Sequence, residues 1–361
     1  MDVGGKRLTA VVADRRGEDP QSSLQTLVDG VDLTATQAED LFTEIMDGRV
    51  PPATIGAILA ALAAKGECAA EVVGAARVMR ARATRIESSL DPSSLVDTCG
   101  TGGDFSGSFN ISTTAAFVVA AGGVPVAKHG NRAASSKCGS ADVLEALGVP
   151  IDLSAATVAH LLETVGIGFL FAPRFHPAMK HAVGVRREIG IRTIFNLLGP
   201  LTNPAGARRQ VIGVPSPEAV TLVADVLQAL GSEHALVVHG ASEGLDEISV
   251  SGPTIMAELI NGQITERRVD PSDLGLETFP ADALAGGDAG ENATITRAVL
   301  EGRGAPTQRS IVAANAGAAL YVGGAAMSVE AGTALALELL ASGAGADLLD
   351  RLVLAAREDS R

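Results

Sequence analysis

The glycine and hydroxyl side chains between Asp97 and Thr113 have the composition of a phosphate-binding loop. Glycines at 100, 102 and 103 would let the backbone approach a phosphate without side-chain clashes. Asn110-Ile-Ser-Thr113 then leads into an apolar segment of helical length, and the start of a helix offers unpaired N–H groups and a partial positive charge. The spacing matches neither a Walker loop nor the GxGxxG dinucleotide motif. For this segment alone, a glycine-rich turn with an ordinary Ser/Thr cap is an equal alternative.

A second segment with anion-binding chemistry runs from Lys128 to Ser140. It holds Lys128, Arg132 and Lys137 and no acidic residue, although the chain has 28 Lys and Arg against 42 Asp and Glu. Residues 141–147 have helical spacing, so a second helix would begin directly after this segment. Two anion sites would suit a diphosphate and a monophosphate. A solvated basic loop is the alternative, and the role of His129 stays open, because a lone histidine is more often a structural hydrogen-bond partner.

Two further charged features could bind ligands. Asp246 and Glu247 follow an apolar run and a glycine-bounded turn, and adjacent carboxylates there suit a hard cation such as Mg²⁺. Such a pair on a loop is usually just solvated. Arg186 lies in a helical stretch, and its planar guanidinium could hold a carboxylate with two hydrogen bonds. The alternative is a surface ion pair, which is also the expectation for Arg187.

The N-terminal part of the chain predicts three helices. Thr34-Ala-Thr-Gln37 has the pattern of a capping box, and a helix over 35–47 follows it. Pro51-Pro52 would open a second helix that ends near Gly66, and the Ala-, Val- and Arg-rich run to about Ser88 supplies a third. A helical region therefore precedes the two anion-binding segments.

Beyond Asp91-Pro92 the pattern changes to short apolar runs separated by segments of helical length. This alternation predicts an α/β domain with a largely parallel central sheet flanked by helices. The regions Val11–Gly30 and Asp270–Asn292 have weak periodicity and many turn residues, so we expect loop or tail there. The predicted strands lie at Leu95–Val96, Val124–Ala127, Gly168–Phe171, Gln210–Val214 and Ala235–Val238.

The composition limits the function classes. The net charge of −14 argues against a broad nucleic-acid-binding surface or an anionic membrane surface as partner. The longest apolar stretch, residues 115–127, is broken by glycines and a proline and is too short to span a membrane. Three cysteines without CxxC spacing, and an N-terminus without a signal-peptide core, predict reduced thiols in a cytoplasmic protein.

Four linked motifs resemble, in order and spacing, those of the anthranilate phosphoribosyltransferase family. They are Asp97-Thr-Cys-Gly-Thr-Gly-Gly-Asp104, Phe109-Asn-Ile-Ser-Thr113, Lys128-His-Gly-Asn-Arg132 with Ser135-Ser136, and Gly139-Ser-Ala-Asp-Val-Leu-Glu145. Three downstream segments, 171–179, 186–204 and 244–248, are similar to that family as well. The resemblance runs from about residue 24 to the C-terminus.

The resemblance implies a reaction in tryptophan biosynthesis. The phosphoribosyl group of phosphoribosyl pyrophosphate (PRPP) is transferred to the amine of anthranilate, giving N-(5-phosphoribosyl)anthranilate and pyrophosphate. It also implies a homodimer of two-domain chains, with no nucleic-acid or membrane partner. Residues 24–90 with about 176–204 would form the helical domain, residues 91–175 and 205–361 the α/β phosphoribosyl-binding domain, and residues 1–23 a polar, disordered extension.

The resemblance also assigns the site residues. Mg²⁺, as two ions, would be held by Ser112, Asp246 and Glu247, and anthranilate would contact Gly100, Asn131 and Arg186. No covalent nucleophile is expected, because positioning and charge stabilisation of the leaving pyrophosphate would carry the reaction. The residues expected to contact PRPP are Gly100, Gly103, Asp104, Ser108, Asn110, Ile111, Ser112, Thr113, Lys128, His129, Gly130, Asn131, Arg132, Ala133, Ala134, Ser135, Ser136 and Ser140.

Two other functions are weighed against this one. A pyrimidine-nucleoside phosphorylase shares the architecture and a phosphate site with Lys, Arg and Ser side chains, but the Asn-Ile-Ser-Thr and Lys-His-Gly-Asn-Arg sequences favour the PRPP enzyme. A non-catalytic relative that binds nucleic acid ranks last, because it would need a basic groove.

Overall fold

A computed structural model describes residues 19–104, 106–133 and 137–358. The N-terminal region is helical, as predicted, but it begins earlier than residue 24, because Asp19 caps a helix that starts at Pro20. The expected loop over Val11–Gly30 is therefore wrong for Pro20–Val28, and residues 1–18 lie outside the described part of the chain. The four helices of this region are α1 Pro20–Val28, α2 Ala35–Met46, α3 Pro52–Lys65 and α4 Ala69–Arg82.

The predicted helix signals at α2 and α3 are confirmed. The Thr34 hydroxyl accepts a hydrogen bond from the Gln37 N–H at 3.3 Å, and the Gln37 side chain accepts one from the Thr34 N–H at 2.9 Å. Pro52 opens α3, and Gly66 ends it with φ +87°.

The third predicted helix ends at Arg82 and not near Ser88. The Thr84 N–H donates to the Phe175 carbonyl at 2.8 Å, and the Ile86 N–H donates to the Pro204 carbonyl at 3.2 Å. These backbone groups pair with distant segments, so the chain leaves the helix and crosses to the α/β region.

One seven-stranded sheet forms the centre of the α/β region, with strand order β3-β2-β1-β4-β5-β6-β7. The first five strands are parallel and match the five predicted runs, whereas β6 and β7 form an antiparallel hairpin that was not predicted. The strands are β1 Val96–Gly100, β2 Val126–Gly130, β3 Ile167–Phe171, β4 Arg209–Gly213, β5 His234–Gly240, β6 Thr254–Ile260 and β7 Gln263–Val269.

Helices cover both faces of this sheet, as predicted. The segment 270–292 is mostly irregular, as expected, apart from two 3₁₀ turns, Pro271–Leu274 and Ala281–Leu284, and the start of α12. Two further 3₁₀ turns lie at Pro92–Ser94 and Pro177–Met179. The remaining helices are α5 Ile111–Ala121, α6 Ser140–Ala146, α7 Ala155–Thr164, α8 Ala172–Phe175, α9 Lys180–Ile189, α10 Ile194–Leu201, α11 Pro217–Ala229, α12 Ala289–Leu300, α13 Pro306–Val322, α14 Val329–Ser342 and α15 Ala344–Glu358.

Two hydrophobic cores lie on opposite faces of the sheet. Val211 and Leu236 belong to the core under α5, α13, α14 and α15. Their neighbours Ile212 and Val237 face the other way, into a core shared with α11 and with helices α1 to α4. Helices α9 and α10 pack against α3, so residues from 180 onward join the N-terminal helices, as the resemblance implies.

Across the residues that the structure describes, no helix combines the length and the apolar character needed to cross a lipid bilayer.

Candidate active site

The predicted glycine loop lies between the end of β1 and the start of α5. Gly102 and Gly103 have φ values of +67° and +75°, the left-handed region that side chains disfavour. Gly100 has an ordinary φ, but a Cβ there would overlap the carboxylate of Asp246. The loop therefore needs glycine for two different reasons, backbone conformation and close approach.

Asp246 and Glu247 lie directly against this loop. The Gly102 N–H donates to Asp246 Oδ2 at 2.9 Å, and the Ser112 N–H donates to Glu247 Oε1 at 3.0 Å. The structure thus brings together Ser112, Asp246 and Glu247, the three residues expected to hold Mg²⁺. Here the two carboxylates take the backbone donors that the sequence suggested for a phosphate.

The electrostatics of this cluster favour a bound cation. Burial raises the pKa values of Asp246 and Glu247, and the neighbouring carboxylates, Asp104 beside Asp246 and Asp246 beside Glu247, raise them further. Asp104 Oδ2 also accepts the Asp246 N–H at 3.4 Å. Three acidic side chains with oxygen donors fit the ligand preference of Mg²⁺, which would offset their mutual repulsion.

A second group of possible metal ligands, Asp32, Cys68 and Glu71, lies in the helical region. Lys65 Nζ donates to Asp32 Oδ1 at 2.6 Å and to Glu71 Oε2 at 3.1 Å. The ammonium already supplies the positive charge there, so this group is a structural ion pair.

Lys128 lies beneath the loop, in the core of the sheet. It is 3% exposed, and its ammonium donates to the Thr98 carbonyl and, at 3.4 Å, to Ser112 Oγ. Burial lowers its pKa, while the charges of Asp97 and Glu247 act in the opposite direction. Lys128 therefore places a positive charge at the start of α5, as part of the buried strand β2 and not of a surface loop.

Asp97 fixes the strand that carries Lys128, a role that the sequence did not reveal. Its Oδ1 accepts the His129 N–H at 3.1 Å, and its Oδ2 accepts Asn203 Nδ2 at 2.8 Å. Asn203 Nδ2 also donates to the Ala127 carbonyl at 2.8 Å. The available signal was an aspartate inside an otherwise apolar strand, which must be paired when buried.

The basic segment is already paired with acidic residues of α6. Arg132 Nη1 lies 2.9 Å from Asp142 and 2.6 Å from Glu145. Asp142 Oδ2 also accepts the N–H groups of Ala133 and Gly139, at 3.0 and 2.8 Å. Asp142 therefore takes two of the backbone donors of the proposed second anion site, those of Ala133 and Gly139, and the role of this segment as a phosphate site stays a prediction.

The remaining residues expected to bind PRPP fall into three groups. Asn110 and Ser140 lie at the starts of α5 and α6. Asn110 Nδ2 donates to the Cys138 carbonyl, just before α6, at 3.3 Å and so links the two helix starts. Ile111 and Thr113 are each 1% exposed and face the core, so only their backbone could contact a ligand. Ala134, Ser135 and Ser136 lie outside the described residues.

A cavity of about 420 Å³ opens between the ends of β1 and β2 and helices α9 and α10. Gly100, Asn131 and Arg186, the residues expected to contact anthranilate, all line it. The Arg186 guanidinium carbon lies 5.2 Å from the centre of the Phe195 ring, and burial lowers the pKa of this arginine. No carboxylate of the described residues pairs with it. Arg187 is exposed, but it forms no ion pair with the described residues, so the expected surface ion pair is not found. A partly buried cation without a partner is a binding feature for an anionic ligand.

Two histidines face each other in the same cavity. The ring centres of His129 and His176 are 5.0 Å apart, and His129 Nδ1 lies 2.9 Å from the Gly199 carbonyl. Burial lowers their pKa values to about 3 and about 4, so both rings are neutral at physiological pH. The Nε2 atoms of both rings have no partner among the described residues. Both Nε2 atoms are themselves buried.

Comparison with known proteins identifies the family. Two family models match, the glycosyl transferase family helical bundle domain over residues 21–83 and its a/b domain over residues 92–346. The chain is 51% identical over 340 residues to the anthranilate phosphoribosyltransferase of Halorhodospira halophila, which covers 94% of this chain and 99% of that one. The chain belongs to the anthranilate phosphoribosyltransferase family. As a member it is a glycosyltransferase of the pentosyltransferase class.

Solved structures of anthranilate phosphoribosyltransferases share this fold. The enzyme of Thermus thermophilus superposes with a TM-score of 0.87 at 44% identity, over 93% of this chain and 99% of that one. The enzyme of Saccharomyces cerevisiae, solved in complex with PRPP and Mg, gives a TM-score of 0.84 at 27% identity, over 94% and 98% of the two chains. The predicted architecture of a small helical domain and a large α/β domain is confirmed.

Arg192, like Asp97, is a charged residue of the candidate site to which the sequence assigned no role. It lies between α9 and α10, and its Nη1 donates to the Gly102 carbonyl at 2.7 Å. Its only sequence signal was its position inside the family-like segment 186–204, where Arg186 alone received a role.

Proposed function

We propose that this chain carries out the reaction of its family at the junction of the glycine loop and the 420 Å³ cavity. The phosphoribosyl group of PRPP passes to the amine of anthranilate, with release of pyrophosphate, as a step of tryptophan biosynthesis. The observation that carries this proposal is the unpaired guanidinium of Arg186, in a cavity that reaches Gly100 at the start of the loop. The cavity would hold an aromatic acid, and the loop beside it a phosphorylated donor.

Anthranilate binds with its carboxylate on Arg186 and its ring in the apolar part of the cavity. Phe195, Met79 and Pro177 supply apolar lining, while Asn131 and the backbone of Gly100 lie at the end next to the loop. This orientation directs the amine toward the loop. His129 lines this end of the cavity, and its neutral ring places no charge beside the amine.

PRPP binds along the glycine loop and the start of α5. The hydroxyls of Ser108 and Ser112 supply hydrogen-bond donors, together with loop N–H groups other than those of Gly102 and Ser112, which Asp246 and Glu247 accept. Lys128 supplies a positive charge from beneath. Negative charge grows on the pyrophosphate as its bond to the ribose breaks, so groups that stabilise this charge lower the barrier. The basic segment from His129 to Ser140, with Ala134, Ser135 and Ser136, completes the proposed donor site.

Mg²⁺ held by Ser112, Asp246 and Glu247 would supply further positive charge to the leaving pyrophosphate. Two ions are proposed, as the resemblance to the family implies, and Asp104, Asp246 and Glu247 supply the oxygen ligands. Asp246→Asn and Glu247→Gln should each require a higher Mg²⁺ concentration for half-maximal turnover, while thermal stability changes little. An unchanged Mg²⁺ dependence in both variants would remove these residues from the metal site.

The reaction is tested by following anthranilate fluorescence with PRPP and Mg²⁺ present. Anthranilate should disappear only when both are added. No loss of anthranilate with folded, Mg²⁺-supplied protein would overturn the proposal. Phosphorolysis of thymidine or uridine in its place would assign the chain to the related phosphorylases.

The homodimer and the cytoplasmic location are also proposed. The three cysteines form no disulfide, which supports a reducing compartment. At the end of α1, Val28 and Val31 are 63% and 54% exposed, an apolar surface that a second copy of the chain would cover.

A further inference from the structure

We propose that Arg192 is a positioning residue that ties the helical region to the glycine loop and holds the loop in the conformation that receives the diphosphate of PRPP. This inference rests on the function proposed above. Arg192 acts through the Gly102 carbonyl, and no role in binding anthranilate is assigned to it.

The backbone of Arg192 is fixed from both sides. Gly190 ends α9 in the left-handed conformation, with φ +63°. Thr193 begins α10, and its N–H donates to Asn196 Oδ1 at 3.0 Å in a capping box. Because α9 and α10 both pack against α3, this two-residue connection belongs to the helical region. The side chain of Arg192 extends from there to the α/β region.

The contact with the loop is close and needs glycine. Arg192 Nη1 donates to the Gly102 carbonyl at 2.7 Å, a charge-assisted hydrogen bond of good length. A Cβ at residue 103 would overlap the same guanidinium. The φ of +75° favours glycine at 103, and a larger side chain there would also displace the Arg192 guanidinium from its place against the loop.

Gly102 is held through both of its backbone polar groups. Its N–H donates to Asp246 of the α/β region, and its carbonyl accepts from Arg192 of the helical region. The glycines at 102 and 103 have wide conformational freedom, so side chains from outside the loop must define its shape. Arg192 forms no ion pair with the described residues, so its guanidinium is not held by a competing carboxylate.

The functional consequence concerns PRPP more than anthranilate. If Arg192 is lost, the loop samples other conformations, and PRPP must select the competent one at a cost in apparent affinity. Arg192→Ala should raise the KM for PRPP about tenfold to a hundredfold, the range for one hydrogen bond to a charged group. The KM for anthranilate should stay within about twofold. Arg192→Lys keeps a charged donor and should recover part of the loss.

The matched control is Arg187→Ala, which removes an exposed arginine of α9 that has no contact with the loop. Hydrogen–deuterium exchange on the ligand-free protein provides the second readout. Peptides covering residues 101–108 should exchange faster in Arg192→Ala than in the wild type, and at the wild-type rate in Arg187→Ala. Thermal melts of the three variants verify that each is folded.

The outcomes separate the possible roles. Faster exchange together with a higher KM for PRPP supports positioning. A higher KM for PRPP with unchanged exchange would overturn it, because Arg192 would then contact PRPP directly. An effect confined to anthranilate, or no effect on either KM, would overturn it as well. If the wild type does not consume anthranilate with PRPP, the proposed function fails, while the exchange experiment still tests the tie between Arg192 and the loop.

Discussion

At the scale of single residues, the proposed site assigns its two substrates to different side chains. Arg186→Ala removes a charged partner worth about 1.5–3 kcal/mol, so the KM for anthranilate should rise roughly ten- to hundredfold while PRPP is little affected. Lys128→Ala should have the opposite pattern, with a higher KM for PRPP and little effect on the KM for anthranilate. Steady-state kinetics with each substrate varied, with Arg187→Ala as the charge-matched control, measures this. If Arg186→Ala impaired the use of PRPP and spared anthranilate, Asn131 or His129 would become the better candidate for holding the acceptor.

The neutral histidines of the cavity make stability depend on pH. In the unfolded chain His176 gains a proton as the pH falls through about 6.5, whereas burial keeps it neutral in the folded protein down to about 4. Between about pH 4 and pH 6.5 the unfolded state therefore binds more protons than the folded state. The free energy of unfolding should therefore fall as the pH drops from about 6.5 to about 4, by up to about 1.4 kcal/mol per pH unit for this group.

His176→Asn removes one of the two titrating rings and should make this dependence less steep over the same interval, while His129 keeps its own contribution. Urea unfolding between pH 4.5 and 8 measures it. At pH 8 the histidine ring is neutral in both the folded and the unfolded state. The difference in the free energy of unfolding between variant and wild type at that pH therefore gives the effect of the substitution apart from titration. Parallel stability curves for the two proteins would contradict the assignment.

At the scale of elements, Arg80 of α4 connects two other helices. Its Nε donates to the Leu201 carbonyl at 2.7 Å and its Nη1 to the Leu230 carbonyl at 3.4 Å, at the ends of α10 and α11. Arg80→Met keeps the apolar stem but leaves these terminal carbonyls without a partner. We expect the free energy of unfolding to fall by about 2–3 kcal/mol in denaturant titrations.

Arg77→Met on the same helix is the control, because Arg77 is about half exposed and lies 3.8 Å from an exposed glutamate. It should change the free energy of unfolding by less than about 0.5 kcal/mol. An equal loss of unfolding free energy in Arg80→Met and Arg77→Met would show that the capping of α10 and α11 by Arg80 does not stabilise the fold.

The elements also show what the sequence could predict. The parallel strands could be found because a strand covered on both faces is a continuous apolar run. β7 has no such run, since five of its seven residues, from Thr265 to Arg268 together with Gln263, are exposed. Asn261-Gly262, which joins β6 to β7, was the available signal, because this dipeptide favours a two-residue hairpin turn.

Contacts between distant segments could not be predicted from local patterns. Arg192 approaches Gly102 only after α9 and α10 have packed on the helical region, and spacing along the chain carries no sign of that. The pairing of Arg132 with Asp142 and Glu145 is similar, because it depends on how the basic segment folds back on α6. Residue types therefore predicted the chemistry of the site but not the supporting contacts.

At the scale of the whole molecule, the proposed homodimer is open to a direct test. Light scattering should give twice the mass of one chain. Val28→Asp combined with Val31→Asp places charge on the apolar end of α1 and should shift the mass toward the monomer. Leu354→Asp on α15, at a similar exposure of 64%, is the control and should leave the dimer intact. A wild-type monomer at working concentration would contradict the dimer without affecting the reaction.

The core that the N-terminal helices share with the sheet has a consequence for how the chain can be divided. The family models match two separate segments, 21–83 and 92–346, which suggests two independent modules. Yet Ile212 and Val237 of the sheet lie in one apolar cluster with Phe42 of α2 and Leu62 of α3. Cutting the chain near residue 90 would uncover that face of the sheet in one fragment and the inner sides of the helices in the other. The two segments are separable as sequence patterns, but each would lose part of a shared hydrophobic core if they were produced apart.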